Sequence, residues 1–212
     1  MAEWRLASDG ETLAWQQRSW ASRASGALAL AGPEPETLSR ALGQTLEGRA
    51  RAGDCLRIAL GSRYVRVAAL PWPRQRLCRS ERLALLQQRW QARLDDIDGW
   101  WLGIEAAGEM RLATAMPHAL LRTLEREASL RGVRTRNCLP AAALVLRRMG
   151  GRGDCRLVIA EGARETSVTL SQGRLASLSS RWRAAQQSTE SPPCGAGELR
   201  VDGGPQGWLE WF

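Results

Sequence analysis

His118 is the only histidine in the 212 residues, which removes whole classes of catalysis. A Ser-His-Asp or Cys-His centre needs an imidazole beside a nucleophile, and nothing in the sequence brings one to His118. His118 follows Pro117 at a predicted helix start and reads as a half-exposed first-turn residue. Metal sites built on several histidines are excluded by count. Asp95, Asp96 and Asp98 form one acidic cluster. Alternating carboxylates can take Ca²⁺ or Mg²⁺, but the other ligands of a calcium loop are missing, so the segment reads as a helix end entering a loop. Gly150-Gly151-Arg152-Gly153-Asp154 lacks the Lys-Ser/Thr of a Walker loop and reads as a linker. The five cysteines, Cys55, Cys78, Cys138, Cys155 and Cys194, have no close pairs and fit neither a disulfide framework nor a zinc site. Cys55 and Cys155 open apolar runs and read as small buried residues, whereas Cys194 falls in a loop as an exposed thiol.

Charge and aromatic content point to binding rather than chemistry. The net charge is +8 and all 30 basic residues are arginine. A GC-rich coding sequence explains this, and so does phosphate recognition by the guanidinium fork. The arginines are spread along the whole chain. Their field would attract nucleic acid or anionic lipid nonspecifically. Ten tryptophans stand against one tyrosine and one phenylalanine. They cannot all be deeply buried in a domain this small, and tryptophan is enriched at interfaces. Trp72, Trp100, Trp101 and the tail residues Trp208, Trp211 and Phe212 are the candidate partner-binding residues. Glu210 makes the tail a poor nucleic-acid platform and a better apolar anchor, for its own domain, a second copy of the chain or a protein partner.

The elements that would position these residues are legible from periodicity. Asp9-Gly10 marks a hairpin between two short strands, and residues 26–32 read as a third strand. Residues 33–51 carry a helical signature, with Pro33 and Pro35 at the start and Leu38, Leu42 and Leu46 on one face. Residues 79–95 are predicted helical, with Leu83, Leu86, Trp90 and Leu94 as the buried stripe. A hairpin turning at Ala107-Gly108, a helix over 118–131, a short strand and a buried helix opened by Pro140 follow. Strands are predicted at 155–160, 165–171 and 174–180, then a polar loop at 183–198 and a last strand before the tail. Gly53-Asp54-Cys55 and Gly153-Asp154-Cys155 open two stretches that read alike, each predicted as a hairpin. Strands paired in hairpins and separated by helices imply an α/β fold with mixed sheets. No apolar run is long enough to span a bilayer and the first residues lack a signal peptide's order, so a cytoplasmic location is expected.

The stretch from Leu60 through Leu77, the Trp90 helix and residues 99–149 resemble the actin-like cytoplasmic proteins of bacterial type IV pilus and type II secretion assembly, the PilM-like proteins and the GspL-type cytoplasmic domain. The resemblance covers roughly residues 54–180 and rests on element order, Pro117 and Gly132 at helix limits, and Leu139-Pro140-Ala141. It implies an actin-like ATPase fold built from two ribonuclease-H-like halves, here 1–149 with inserted hairpin and helix elements, and 150–212. It also implies that the paired Gly-Asp-Cys segments are the duplication. Proteins of this kind hold nucleotide between two hairpin turns, where Gly lets amides reach phosphate and a carboxylate manages Mg²⁺. Asp9, Gly10 and Thr12 lie nearest to such a turn, although Asp-Gly is also the commonest hairpin turn. Gly61-Ser62 carries no carboxylate. In the second half Glu161 could supply the acid, with Gly162, Thr166 and Ser167 around it, but Arg164 and Glu165 interrupt the turn. A ribonuclease-H nuclease would need several converging carboxylates, and the first strand offers only Glu3. The expectation is therefore a degenerate, non-catalytic adaptor without cofactor or metal. It would bind a protein partner such as the cytoplasmic segment of an inner-membrane assembly protein, and so lie at the membrane's inner face. A nucleic-acid-binding protein and a nucleotide-binding ATPase or switch are the alternatives.

Overall fold

The structure, a computed structural model, describes residues 1–105, 108–149, 153–161, 164–182, 198–201 and 204–212. Strands β1 (Glu3–Ser8), β2 (Thr12–Arg18) and β3 (Arg23–Ala29) lead into α1 (Pro35–Leu46) and β4 (Cys55–Leu60). A lobe of β5 (Arg66–Pro71), α2 (Arg79–Gln91), β6 (Trp100–Glu105) and β7 (Met110–Pro117) follows. Next come α3 (His118–Leu130), β8 (Arg134–Pro140) and α4 (Ala141–Met149). The rest is β9 (Cys155–Glu161), β10 (Arg164–Ser171), β11 (Arg174–Trp182), β12 (Glu198–Val201) and the short α5 (Gly204–Trp208). No helix among the described residues is long and apolar enough to cross a membrane.

The strands form three sheets, ordered β3-β2-β1-β4-β8, β11-β10-β9-β12 and β5-β7-β6. In the first, β1 pairs antiparallel with β2 and parallel with β4, and β4 pairs parallel with β8. In the second, β9 pairs antiparallel with β10 and parallel with β12. The first four strands of the first sheet and the four of the second therefore share one order and one set of directions. β9 is the counterpart of β1, and β12 of β4.

That topology corrects two expectations. The segment after Gly53 is not a hairpin. β4 stays in the first sheet, the chain turns where Tyr64 and Val65 donate to the Gly61 carbonyl at 3.0 and 3.3 Å, and β5 joins a different sheet beside β7. The Gly-Asp-Cys segments are also not the duplicated units, because Cys55 opens a fourth strand and Cys155 a first. What they share is local: Gly53 and Gly153 both take positive φ, 90° and 50°. Both aspartates then bind neighbouring amides. Asp54 accepts from Ala2, Arg51 and the Trp4 indole at 2.6, 3.1 and 3.2 Å. Asp154 accepts from Gln172 in the β10–β11 turn. The motif is a way of starting a strand, used twice.

Alternation along the first sheet separates large from small side chains. Trp4, Leu6, Leu13, Trp15, Leu56, Ile58 and Leu60 form a core with Leu38 and Leu42 of α1 and Leu120 and Leu124 of α3. Ala14, Ala7 and Ala59, in register across three strands, lie on the other face. They pack in one cluster with α4, Leu157, Ile159 and Val168 of the second sheet, and Trp208. The third sheet rests on α2 through Leu86 and Trp90. Leu83, expected in that stripe, is 46% exposed, and within α2 only Leu86 and Trp90 are buried. α1 is shorter than predicted and β3 begins three residues earlier. Cys55 is buried as expected, whereas Cys155 is half-exposed at a strand entry. Burial and the nearby Glu125 push the Cys138 thiol up to about 12, so it stays protonated. The Ala107 turn position, residues 150–152, Gly162, Cys194 and most of the 183–198 loop lie outside the described residues.

Asp54 joins the starts of β1 and β4, and its carbonyl accepts from Arg134 at the start of β8. Burial raises its pKa, but the bonds from Ala2, Arg51 and Trp4 outweigh that, and the net effect is a lowered value. A lowered carboxylate pKa contributes stability above the unfolded value, lost as pH falls through the folded one. Asp54→Asn is expected to cost about 1–3 kcal/mol in urea unfolding at neutral pH, with the deficit shrinking as the wild type is acidified below pH 3.8.

Candidate functional site

The ends of β1, β4 and β9 converge on a cleft between the two larger sheets. Gly61, just after β4, donates to the Ser8 carbonyl at 2.7 Å and ties its turn to the end of β1. Ser62 adjoins Glu161 at the end of β9. Gly61 must lack a side chain, since a Cβ there would stand 3.0 Å from Asp9 Cα and 3.1 Å from the Trp208 ring.

The β1–β2 turn has amides of the kind that could cradle a phosphate, but its own oxygens hold them. Gly10, at φ 97°, donates to Ser8 Oγ at 3.3 Å. Glu11 and Thr12 donate to Asp9 Oδ1 at 3.0 and 2.9 Å. Arg63 pairs with Glu11 across the turn, and its side chain fills the space a Cβ on Gly10 would need. On the opposite side Glu161 is buried and accepts from Thr166 Oγ1 at 3.2 Å. Burial raises its pKa above the ordinary carboxylate value, opposed by Ser62, Thr166 and Arg164. Ser167 is held within the sheet by Arg156, which donates to its hydroxyl at 3.3 Å. Thr166 and Ser167 are thus mid-strand residues bonded to their own sheet.

The C-terminal helix fills what remains. α5 packs on β1, β2 and β9, and Trp208 is fully buried. A Cβ on Gly204 would lie 3.7 Å from Asp9 Oδ2. Trp211 and Phe212 are half-buried against the same cluster, with Arg5 5.9 Å over the Phe212 ring. Trp208 therefore does not present an exposed anchor; its ring is core of the chain's own cleft.

The fold is actin-like. Solved structures bear this out at low identity. The chain resembles the cytoplasmic domain of EpsL, an inner membrane component of the type II secretion system of Vibrio cholerae. The TM-score is 0.56 at 12% identity, over 97% of this chain and 84% of that one. It resembles a chain of the PilM-PilN type IV pilus biogenesis complex at TM-score 0.61 and 12% identity, over 85% of this chain. It spans 61% of that chain's length. A Bacteroides thetaiotaomicron protein with an actin-like ATPase fold and unknown function matches at 0.54 and 7% identity, over 85% and 70% of the two chains. No family model matches the sequence, and no curated protein does.

The other expected binding residues divide between two regions. Trp72, Trp100 and Trp101 belong to the β5-β7-β6 lobe, where Trp72 and Trp100 are half-buried and Trp101 is 39% exposed. Trp208, Trp211 and Phe212 belong to the central cleft. The most exposed tryptophans are others: Trp20, 95% exposed in the β2–β3 turn, and Trp182, 63% exposed at the end of β11 beneath Arg164. Ser19 and Ser22 bond to each other around Trp20, and that polar setting is the sequence signal that marks it as a turn residue. Among the described residues no cluster of His, Cys, Asp and Glu could hold a metal ion. His118 begins α3, half-exposed, and Asp96 caps a short turn by accepting from the Asp98 amide.

Two variants test the cleft. Trp208→Ala is expected to lose about 3–5 kcal/mol, as for a core tryptophan, in chemical unfolding; unchanged stability would mark the tail as a free anchor. Glu161 has a raised folded pKa, so its contribution to stability falls as pH rises from 4.5 towards that value. The thermal stability of Glu161→Gln relative to wild type should therefore improve as pH increases through this window.

Proposed function

We propose that this chain is a non-catalytic adaptor that works by contact with proteins of a pilus- or secretion-type assembly. The observation that carries this reading is that Asp9 and Ser8 hold the Gly10, Glu11 and Thr12 amides, at the turn where an actin-like protein would grip phosphate. The burial of Glu161 and of Trp208 in the same cleft supports it. Likeness of fold to EpsL and to PilM in its complex with PilN supports the assembly context. We further propose a division at 149/150 between the two halves and a cytoplasmic site of action beside an inner-membrane partner.

The reading is tested by adding millimolar ATP and Mg²⁺ during thermal unfolding. A ligand at a hundredfold excess over its Kd would add about 2.7 kcal/mol, which for a chain this size is roughly 5–10 °C. No shift is expected, and a shift of that size would favour the nucleotide switch. The chain purified from the cell that encodes it should retain a pilus or secretion component. Recovery of nucleic acid alone would overturn the adaptor reading.

A further inference from the structure

Five arginines from three separate stretches of the sequence meet at one cavity of about 640 Å³. Arg74 and Arg76 come from the loop after β5, Arg82 from the first turn of α2, Arg111 from β7 and Arg174 from the start of β11. The cavity therefore lies where the β5-β7-β6 lobe faces the second sheet, apart from the central cleft. The side chain of Arg174 reaches across to the β6–β7 turn, 3.2 Å from where a Cβ on Gly108 would stand. The lining holds one carboxylate, Glu109, which pairs with Arg74 at 3.0 Å. Arg76, Arg82, Arg111 and Arg174 have no carboxylate partner among the described residues.

Uncompensated guanidinium groups around a concave opening repel one another and focus a positive field outward. An anionic ligand relieves that repulsion, and the guanidinium fork matches a carboxylate bidentately. The Arg111 guanidinium lies 4.2 Å over the Trp72 ring, and its Nε is buried without a hydrogen-bond partner. One face of Trp72 is thereby covered. Trp72, Pro73 and Leu77 supply apolar wall beside the charges. A single pocket of this size suits a few residues of polypeptide better than the long backbone track of a nucleic acid.

We propose that this cavity binds an acidic segment of a protein partner, its carboxylates meeting Arg76, Arg82, Arg111 and Arg174. This rests on the adaptor reading and gives it a place. The test is fluorescence anisotropy on the full chain with three labelled probes: a peptide alternating glutamate with leucine, its glutamine counterpart, and an oligothymidylate of equal charge. The double variant Arg76→Glu, Arg82→Glu is compared with Arg122→Glu, Arg126→Glu, an equal charge change on the exposed face of α3, with circular dichroism and melting confirming that both fold. The glutamate peptide should bind, the glutamine peptide should not, and the cavity variant should weaken binding about tenfold or more. The α3 variant should change it less than about threefold. No binding to wild type, equal losses in both variants, or tighter binding of the oligothymidylate would each overturn the proposal. If the cavity variant still retains the assembly component from cells, the cavity assignment fails while the adaptor reading stands. If wild type retains none, the adaptor reading fails whatever the peptide does.

Discussion

A row of three alanines governs how the two larger sheets meet. Ala14, Ala7 and Ala59 sit side by side on the inner face of the first sheet, while the bulky residues of the same strands point to α1 and α3. Small side chains on that face let another layer approach closely and leave a shallow floor. α4 and the Trp208 ring fill it together with Leu157 and Ile159 of the second sheet. Interiors pack near crystal density, so a shallow floor has to be matched by a large, flat side chain or lose those contacts. Larger residues in the alanine row would push α4 and the second sheet outward and leave no seat for Trp208. The absence of a side chain at Gly61 belongs to the same arrangement, because a methyl there would press on both Asp9 and the indole.

Once Trp208 is seated, its Nε1 and Ser62 Oγ are buried without a hydrogen-bond partner among the described residues, whereas the backbone amides beside it are best satisfied inside the protein. That explains why the β1–β2 turn is closed on itself. With α5 beside Asp9, the turn amides are satisfied most simply by Ser8 and Asp9, and the Glu161 carboxyl by Thr166. An Asp-Gly hairpin turn and a phosphate-gripping turn use the same residues. The difference lies in whether the aspartate folds back on its own amides or leaves them for a ligand, and here it folds back.

Most of the element order was readable because each element carries its own short-range signal. Leu38, Leu42 and Leu46 mark α1, the Asp9-Gly10 turn marks the first hairpin, and Pro140 marks the start of the buried helix α4. The misreading at Gly53–Leu70 has an equally physical cause. Alternation reports which residues face a core, and β4 and β5 both alternate, but alternation is silent on which sheet each strand joins. Pairing is decided by the crossover after Gly61 and by β7, some fifty residues later. The matching Gly-Asp-Cys segments misled for the same reason: a glycine at positive φ and an aspartate binding a nearby amide is a local solution to entering a strand, available to strands of any topology. The tryptophans were an incomplete guide for the opposite reason. Their number says that some must be exposed, but only the fold separates Trp208, in the core, from Trp20, on a turn.

Arginine content posed a choice between coding bias and selection for anion binding, and the fold changes the terms of that choice. Bias predicts arginines wherever a basic residue is tolerated, each near enough to a carboxylate or to solvent to be harmless. Much of this chain fits: Arg5 and Arg57 share Glu3, Arg131 pairs with Glu127, and Arg147 forks onto Glu105. At the cavity beside Trp72, Arg74, Arg76, Arg82 and Arg174 also reach solvent, so bias accounts for each one singly; what it does not account for is their gathering with Arg111 from a loop, a helix and two strands around one opening with a single glutamate among them. One reversal to glutamate, a change open to any drifting surface, would lower the positive charge at that opening. The arrangement is therefore better explained by a ligand that brings the missing negative charge than by composition.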